Sequence, residues 1–267
     1  MAPPKKPKWA IERDRAKRSG PDRFWLFGLH AVREALENPR RDKHRLIVTR
    51  NAADRLTEAI AMSGIEPELA DSRRFPAPLD PQSVHQGAAL EVTPLDWGRL
   101  EDLCNPAATD RAPIAILLDR VSDPHNVGAI LRSAEVFGAA AVIAPRRHAA
   151  PETGALAKSA SGAMERQAYL RVANLGNAME ELSRMNYCLI GLDGAAENTI
   201  EDVLPRDPGR PLGLVFGAEG PGLRERTRSL CATTARIDSA QSFASLNVSN
   251  AVAVSLHAAK LKCKNFF

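Results

Sequence analysis

The sequence is poor in cysteine and aromatic residues and has no long apolar run. Its 267 residues include four cysteines, which are far apart and form no Cys-x-x-Cys pair: Cys104, Cys188, Cys231 and Cys263. This spacing favours neither a disulfide framework nor a zinc site, and reduced thiols are typical of a cytoplasmic protein. No apolar run approaches the ~18 residues of a membrane-spanning helix, and the basic N-terminus lacks the apolar stretch of a secretory signal. We therefore expect a cytoplasmic protein without a membrane segment or a metal site.

Positive charge is in excess only at the start of the chain. The whole chain has a net charge of +4, whereas residues 1–23 hold eight Lys or Arg against three Asp or Glu, a balance of +5. A start this rich in proline and lysine cannot bury apolar surface, so residues 1–24 are predicted to form a flexible basic arm. Such an arm either only aids solubility or contacts a polyanion through counterion release.

The rest of the chain has the length and pattern of two α/β domains. From Trp25, "WLFGLHAVREALE" has helical spacing, "HRLIVT" reads as a strand, "AADRLTEAIAMSG" as a second helix that stops at its glycine, and "GAALEV" as a strand. These elements predict a small α/β domain over residues 25–95. The weakly patterned stretch "LDWGRLEDLCNPAATDRAP" predicts a linker or peripheral helix, so residues 96–112 are assigned to a linker.

Residues 113–267 alternate between strand-like and helical stretches. The apolar runs "IAILLD", "AAVIA", "YCLIGL" and "LGLVFG" are separated by helical patterns. This alternation predicts an α/β domain with a mostly parallel sheet and helices on both faces. Ligands of such sheets bind beyond the carboxyl ends of the strands, so the residues that follow these runs are the candidates for function.

The first candidate stretch is "DPHNVGAILRSAEVFGA", which follows "IAILLD". A helix should begin at Pro124 and end near Gly138, with an apolar face of Val127, Ile130, Leu131 and Ala134. Arg132 points away from this face, and Asn126 lies in the first turn, where backbone N–H groups favour an anion. Taken alone, this segment favours Arg132 as a solvated surface residue and Asn126 as a polar group at a helix start over a functional role.

Two further stretches carry functional signals. "VFGAEGPGL" places Gly217 and Glu219 directly after a strand, where glycine lets a backbone approach a ligand closely, although a plain strand-to-helix turn also explains it. In "SLNVSNA", Ser245 is a candidate cap for a helix from Leu246 to Leu261 that is apolar on most sides and therefore expected to be buried. Capping explains only one or two of the polar residues at this helix start, so Asn247 needs another partner.

In this order and spacing, the three stretches resemble motifs one, two and three of the SpoU/TrmH family of RNA ribose 2′-O-methyltransferases. The resemblance spans most of residues 113–262, and "GLHAVREALE" and "HQGAALEV" resemble the small substrate-binding domain of the family. The layout is most similar to the bacterial enzymes that methylate a guanosine of 23S rRNA. The resemblance implies a C-terminal deep trefoil knot, one of the rare exceptions to the rule against knots.

The resemblance also implies the cofactor and the active site. S-adenosylmethionine would be held largely by backbone groups of three residues: Gly217, Ile237 and Leu246. The active-site positions of the family match five residues of this chain: Asn126, Arg132, Glu219, Ser245 and Asn247. The reaction is an in-line methyl transfer to a ribose hydroxyl, which requires alignment and removal of a proton.

Arg132 is the residue usually proposed as the base of this family. A guanidinium has a pKa above about 12, so we expect Arg132 to bind the substrate phosphate and hydroxyl, positioned by the two asparagines, with Glu219 orienting the cation. The chain departs from the family at Asp238, Ser239 and Gln241, which predicts a different backbone path there and an altered cofactor affinity.

The sequence therefore predicts a 2′-O-methyltransferase that acts on guanosine in 23S rRNA as a homodimer. A transfer RNA methyltransferase is the alternative within the class. A catalytically silent, knotted RNA-binding protein is the alternative outside it, and the joint presence of the motif residues argues against it. A nicotinamide oxidoreductase is disfavoured because the chain lacks the G-x-G-x-x-G pattern after a strand.

Overall fold

The computed structural model describes residues 23–80, 83–108, 112–205, 209–239 and 246–262. The chain divides into two compact units. The first contains residues up to Asp96 together with Glu152–Lys158, and the second contains Trp97–Pro151 and the chain from Ser159 onwards. Most of the predicted basic arm, residues 1–22, lies outside the described residues, whereas its last residue, Phe24, begins a strand.

Up to Asp96, the described residues of the first unit form a four-stranded mixed sheet and three helices. Its strands, in the sheet order β1-β4-β2-β3, are β1 (Phe24–Phe27), β4 (Ala88–Val92), β2 (Lys43–Val48) and β3 (Pro67–Leu69). Strand β4 is antiparallel to β1 and β2, and β2 is parallel to β3. The helices are α1 (Leu29–Glu37), α2 (Arg50–Arg55) and α3 (Thr57–Ser63). The predicted strands "HRLIVT" and "GAALEV" are confirmed as β2 and β4.

The prediction of a helix from Trp25 is wrong for its first residues. The chain there forms β1, and α1 begins only after Gly28, whose φ of 92° is open mainly to glycine. A run of four apolar residues fits a strand and a helix equally well, so periodicity does not separate them. The second predicted helix is also interrupted, because Leu56, with φ −111° and ψ 9°, separates α2 from α3.

The second unit is built on a six-stranded sheet in which all strands are parallel, as the sequence predicts. In the sheet order β10-β8-β9-β5-β6-β7, the strands are β10 (Thr233–Ala235), β8 (Cys188–Leu192), β9 (Leu212–Gly217), β5 (Ile114–Asp119), β6 (Ala141–Pro145) and β7 (Tyr169–Val172). Every residue of β5 and β6 is buried, as expected for a parallel sheet covered on both faces.

Helices alternate with these strands. In the described residues they are α4 (Leu100–Leu103), α5 (Pro124–Val136), α6 (Gly154–Ala160), α7 (Leu175–Arg184), α8 (Ile200–Val203), α9 (Glu225–Ser229) and α10 (Val248–Lys262). Most of α6 belongs to the first unit, which includes Glu152–Lys158. Leu117, Ile143 and Val215 of the sheet share one hydrophobic core with Met179 and Leu182 of α7. Helices α5 and α10 pack against each other, and α10 also contacts β9. Within the described ranges, no helix combines the length and the apolar character needed to cross a membrane.

Helix α5 forms as predicted. Its N-cap, Asp123, accepts a hydrogen bond from the His125 backbone N–H at 3.0 Å, and the helix stops just before Gly138. All four residues of the predicted apolar face are fully buried: Val127, Ile130, Leu131 and Ala134. Arg132 is exposed, as its position off that face requires.

Helix α10 differs from its prediction in where it begins and in how it is covered. It starts at Val248 rather than Leu246, and the Asn247 side chain caps it by accepting from the Ser249 N–H at 2.9 Å. Ser245 lies outside the described residues and is too far upstream to be the N-cap of this helix. The expectation of a helix buried on most sides is wrong, because Val254 is 41% and Leu261 66% exposed. The buried residues of α10 lie along one side of the helix: Val248, Val252, Ser255, Leu256 and Ala259.

The described cysteines are free thiols. Cys104 and Cys188 are buried and Cys231 is half-buried, while Cys263 lies outside the described residues. Burial raises the pKa of the Cys104 thiol to about 11 and that of Cys231 to about 12. Because the thiolate is the reactive form, we expect both to resist alkylation at pH 8 in the folded protein and to react in urea. Mass spectrometry after iodoacetamide treatment measures this, and rapid native labelling of Cys104 would contradict the buried position.

Candidate active site

The sheet of the second unit has its switch point between β5 and β9. The chain leaves β5 toward β6 on one side and leaves β9 toward β10 on the other. In parallel sheets, ligands bind in the crevice that such a reversal opens at the carboxyl ends of the strands. The first turn of α5, with Asn126, follows β5, and a tight turn with Glu219 follows β9.

Three side chains from distant parts of the sequence meet at this crevice. Asn247 Nδ2 donates to Glu219 Oε1 at 2.7 Å and to Asn126 Oδ1 at 2.9 Å. Asn126 Nδ2 donates to the same Glu219 Oε1 at 3.1 Å. We call these three residues the polar cluster. It is open to solvent, since Glu219 and Asn247 are exposed and Asn126 is half-buried.

The Asn247 amide uses its full hydrogen-bonding capacity. Its Nδ2 donates twice within the polar cluster, and its Oδ1 accepts from the Ser249 N–H at 2.9 Å and the Ser249 Oγ at 2.6 Å. These partners fix which end of the amide faces Glu219. Glu219 Oε1 is thereby occupied by two donors, whereas Oε2 has no partner among the described residues. The arrangement can accept a hydrogen bond from a ligand hydroxyl at a fixed position.

Position 217 requires glycine because the backbone of the following turn packs directly against it. A Cβ there would lie 2.1 Å from the Gly222 carbonyl carbon and 2.4 Å from the Leu223 nitrogen. The turn folds back this tightly because the Gly222 N–H bonds to the Ala218 oxygen at 3.0 Å. The space that a side chain at position 217 would fill is therefore taken by the protein's own backbone and not by a ligand. This close packing positions the Glu219 turn.

A buried carboxylate beneath this turn was missed by reasoning from the sequence. Asp119, the last residue of β5, has a fully buried side chain. Its Oδ2 accepts from Thr227 Oγ1 at 2.6 Å and from the Arg224 N–H at 3.2 Å, and its Oδ1 accepts from Arg224 Nε at 2.7 Å. Asp119 thus fixes the start of α9, which follows the Glu219 turn. The signal in the sequence is a single charge at the end of the buried run "IAILLD".

The other predicted site residues that the structure describes make no hydrogen bond with the polar cluster. Arg132 lies six residues after Asn126, a rise of about 9 Å along α5, and makes no hydrogen bond or ion pair with a described residue. Both asparagines bond to Glu219 instead, so their predicted role in positioning Arg132 stays a prediction. Ile237 is half-buried after β10, and Leu246 is 48% exposed beside Asn247.

The positions that depart from the family motif are partly described. Asp238 and Ser239 are exposed, while Gln241 falls in residues 240–245, outside the described residues, as does Ser245. In the part of the chain that the structure describes, no three His, Cys, Asp or Glu side chains are grouped so that they could hold a metal ion.

The two roles of Asn247, helix cap and cluster member, can be separated by substitution. Asn247→Ala is expected to lower the free energy of unfolding by about 1 kcal/mol through loss of the cap and to reduce activity as Glu219 loses a donor. Asn247→Ser keeps a capping oxygen but cannot span Asn126 and Glu219, so it should restore stability and not activity. Urea unfolding and methyl-transfer rates measure both. Full recovery of activity in the serine variant would exclude a functional role for the amide donor.

Comparison with known proteins supplies the family context. Residues 113–257 match the model of the "SpoU rRNA Methylase family", and residues 25–97 match that of "RNA 2′-O ribose methyltransferase substrate binding". The chain is 35% identical over 238 residues to the 23S rRNA (guanosine-2′-O-)-methyltransferase RlmB of Pseudomonas putida, covering 86% of this chain and 93% of that protein. RlmB of Escherichia coli K12 is 35% identical over 235 residues, covering 86% of this chain and 95% of that protein.

Solved structures agree with the sequence matches. The SpoU methyltransferase AviRb from Streptomyces viridochromogenes, crystallised in complex with the cofactor AdoMet, superposes with a TM-score of 0.76 at 25% identity, over 92% of each chain. An AdoMet-bound rRNA methyltransferase from Sinorhizobium meliloti, at 18% identity, shares the fold with a TM-score of 0.74 over 93% of this chain and 90% of that one. By its three motif segments, its parallel sheet and these matches, the chain belongs to the SpoU rRNA methylase family.

Proposed function

We propose that this protein transfers the methyl group of S-adenosylmethionine to the ribose 2′-hydroxyl of a guanosine in 23S rRNA. The observation that carries the proposal is the polar cluster, in which all three motif segments meet at the switch point of the sheet. The 35% identity to RlmB proteins over 86% of the chain supports this substrate. An enzyme that acts on ribosomal RNA would work in the cytoplasm.

Three residues at the carboxyl edge of the sheet fit a bound S-adenosylmethionine. Leu246, beside Asn247, offers apolar surface that a nucleoside would cover, because 48% of the residue is exposed, and Ile237 is a half-buried apolar residue that follows β10. Gly217 contributes backbone at the carboxyl end of β9. These three residues would hold the cofactor, whose sulfonium supplies an activated methyl group for in-line transfer.

The polar cluster would bind and orient the target ribose. Glu219 Oε2 is free among the described residues to accept a hydrogen bond from the 2′-hydroxyl, and the two amides hold the carboxylate in place. Arg132 would bind the phosphate and hydroxyl of the substrate nucleotide, since a guanidinium stays protonated and donates in a fork that suits phosphate. Ser245 completes the set of family positions and lies outside the described residues.

We also propose the deep trefoil knot of the family. Strand β10 is at one edge of the sheet, beyond β8, while α10 packs against α5, β9 and α8. The chain must therefore return from the sheet edge to its middle between β10 and α10. Passage of this return through the preceding loop would form the knot and bring Leu246 and Asn247 to the crevice.

A homodimer is proposed from the uncovered side of α10. Val254 and Leu261 are 41% and 66% exposed, and Val136 at the end of the neighbouring α5 is 75% exposed. The two helices meet there, since the Phe137 and His257 rings lie 6.2 Å apart. A second copy would cover this apolar surface. Sedimentation of the full chain at micromolar concentration should give a dimer, and Val254→Glu should shift it toward a monomer.

Selection of the RNA is assigned to the first domain. We propose that residues 25–95 form the substrate-binding module, that residues 96–112 connect it to the methyltransferase domain of residues 113–267, and that the basic arm of residues 1–24 adds contacts with RNA phosphates. The match of residues 25–97 to a substrate-binding family model supports this assignment.

The proposed function is tested with the full chain, tritium-labelled S-adenosylmethionine and transcripts of 23S rRNA and transfer RNA. Label should enter 23S rRNA, and mapping of 2′-O-methyl groups should find them on guanosine. Calorimetry should detect binding of S-adenosylmethionine and none of a nicotinamide dinucleotide. Label in transfer RNA alone would replace the proposed substrate, and RNA binding without transfer would favour the catalytically silent protein.

A further inference from the structure

We propose that the carboxyl edge of β5, β6 and β7 binds the phosphates of the RNA strand on one side of the target ribose. Four exposed basic residues follow β5 and β6 and are called the basic edge: Arg120, Arg146, Arg147 and His148. RNA as the ligand follows from the proposed function, on which this inference rests. What this inference adds is the path that the RNA takes as it leaves the polar cluster.

The strand register places the basic edge beside the polar cluster. Strand β5 pairs in parallel with both β6 and β9, and its last residue is level with Gly217. Counting on from these pairs, Arg120 is level with Arg146 on one side and with the residue before Glu219 on the other. Adjacent strands are about 4.8 Å apart, so the basic edge begins one strand spacing from the Glu219 turn and extends toward β7.

The charges of the basic edge are available for a ligand. Arg120, Arg147 and His148 make no hydrogen bond or ion pair with any residue that the structure describes. Arg146 donates through Nε to the Arg171 backbone oxygen at 3.1 Å, and this bond restrains its side chain. Arg146 has no carboxylate partner among the described residues. Exposed guanidinium groups without a carboxylate partner are suited to bind phosphate.

On the other side of the polar cluster, the arginines after β9 are paired with carboxylates. Three arginines that follow β9 each pair with a carboxylate: Arg224 with Asp119, Arg226 with Glu180 and Arg228 with Asp193. Their charge is compensated within the chain. Arg236, which follows β10 on this side, is half-buried and donates to the Ala196 and Glu197 backbone oxygens. The cofactor-binding residues Ile237 and Leu246 are assigned to this side, so the exposed arginines without a carboxylate partner among the described residues of this edge lie on the side left for RNA.

The backbone of the basic edge is unusual at both strand ends. Arg120 and His148 adopt left-handed conformations, with φ of 65° and 64°. Non-glycine residues rarely do so, and a strained backbone of this kind clusters at ligand-binding sites. Here two basic residues are held in this way at the carboxyl edge, where ligands of parallel sheets bind.

The test measures the salt dependence of RNA binding by the full chain. A labelled single-stranded RNA of mixed sequence is the probe, and the variants are Arg147→Ala and Arg120→Asn, since asparagine tolerates the left-handed backbone. Each lost phosphate contact should reduce the slope of log K against log salt by about 0.7, which is about fivefold in affinity at 0.1 M salt. With 23S rRNA as substrate, KM should rise by a similar factor, while kcat and the affinity for S-adenosylmethionine stay unchanged.

Arg226→Ala is the matched control, because it removes one positive charge from the same unit at a side chain that is 68% exposed. It should keep the parental slope. The inference is overturned if both basic-edge variants also keep that slope, if Arg226→Ala lowers it equally, or if the parent protein does not bind RNA. If the slope falls as expected but no methyl group enters 23S rRNA, the basic edge stands and the proposed function fails.

Discussion

Arg132→Ala is expected to lower methyl transfer to 23S rRNA at least about a hundredfold, the loss typical of removing one group that stabilises charge at a reaction centre. The free energy of unfolding should change by less than about 0.5 kcal/mol, because Arg132 is exposed and bonds to no described residue. Methyl-transfer kinetics, urea unfolding and calorimetry with S-adenosylmethionine measure the three quantities. Cofactor affinity should match the parent.

Two further variants define what Arg132 supplies. Arg132→Lys keeps the charge but not the planar fork of donors, so it should recover only part of the activity if the guanidinium grips phosphate and hydroxyl together. Arg184→Ala removes an exposed arginine at the end of α7, near the opposite edge of the sheet, and should leave the rate unchanged. A rate for Arg132→Ala within tenfold of the parent would remove Arg132 from the proposed mechanism.

The sequence predicts best where local signals agree. Helix α5 has a capping Asp123, a proline in its first turn, an apolar face at helical spacing and a terminal glycine, and it forms at the predicted bounds. The alternation of apolar runs likewise predicts the parallel sheet. Helix α5 depends on interactions between residues close in sequence, and the sheet depends on the burial that the apolar composition of its strands requires.

Other features depend on contacts across the chain, which local pattern does not contain. The polar cluster joins residues separated by 93 and 121 positions, and only the strand order brings their loops together. The start of α10 at Val248 goes with a cap by Asn247, whereas the sequence singled out Ser245 as the candidate cap. Motif resemblance put five residues in one site, of which the structure joins Asn126, Glu219 and Asn247, and it did not reveal that the asparagines bond to Glu219.

Asp119 is the strongest example of a long-range contact, and it connects the fold to the function. The carboxylate lies at the end of β5, and its partners Arg224 and Thr227 are more than 100 residues away. Through them it holds the segment between the Glu219 turn and α9. Asp119 is therefore a positioning residue that acts on the polar cluster through this segment without touching a substrate.

Asp119→Asn is expected to lower the free energy of unfolding by about 2–3 kcal/mol, because the buried Thr227 hydroxyl and the Arg224 N–H lose a charged acceptor. This loss of unfolding free energy is smaller than for breaking a fully buried ion pair, because the Arg224 side chain is 51% exposed and can be hydrated. Displacement of the Glu219 turn should also weaken S-adenosylmethionine binding, measured by calorimetry at a temperature where the variant is folded. Arg226→Ala, next to Thr227 in sequence and in a 3.6 Å surface pair with Glu180, should change stability by less than about 0.5 kcal/mol. If Asp119→Asn loses stability but keeps parental cofactor affinity and rate, its role is structural only and the turn is held by other contacts.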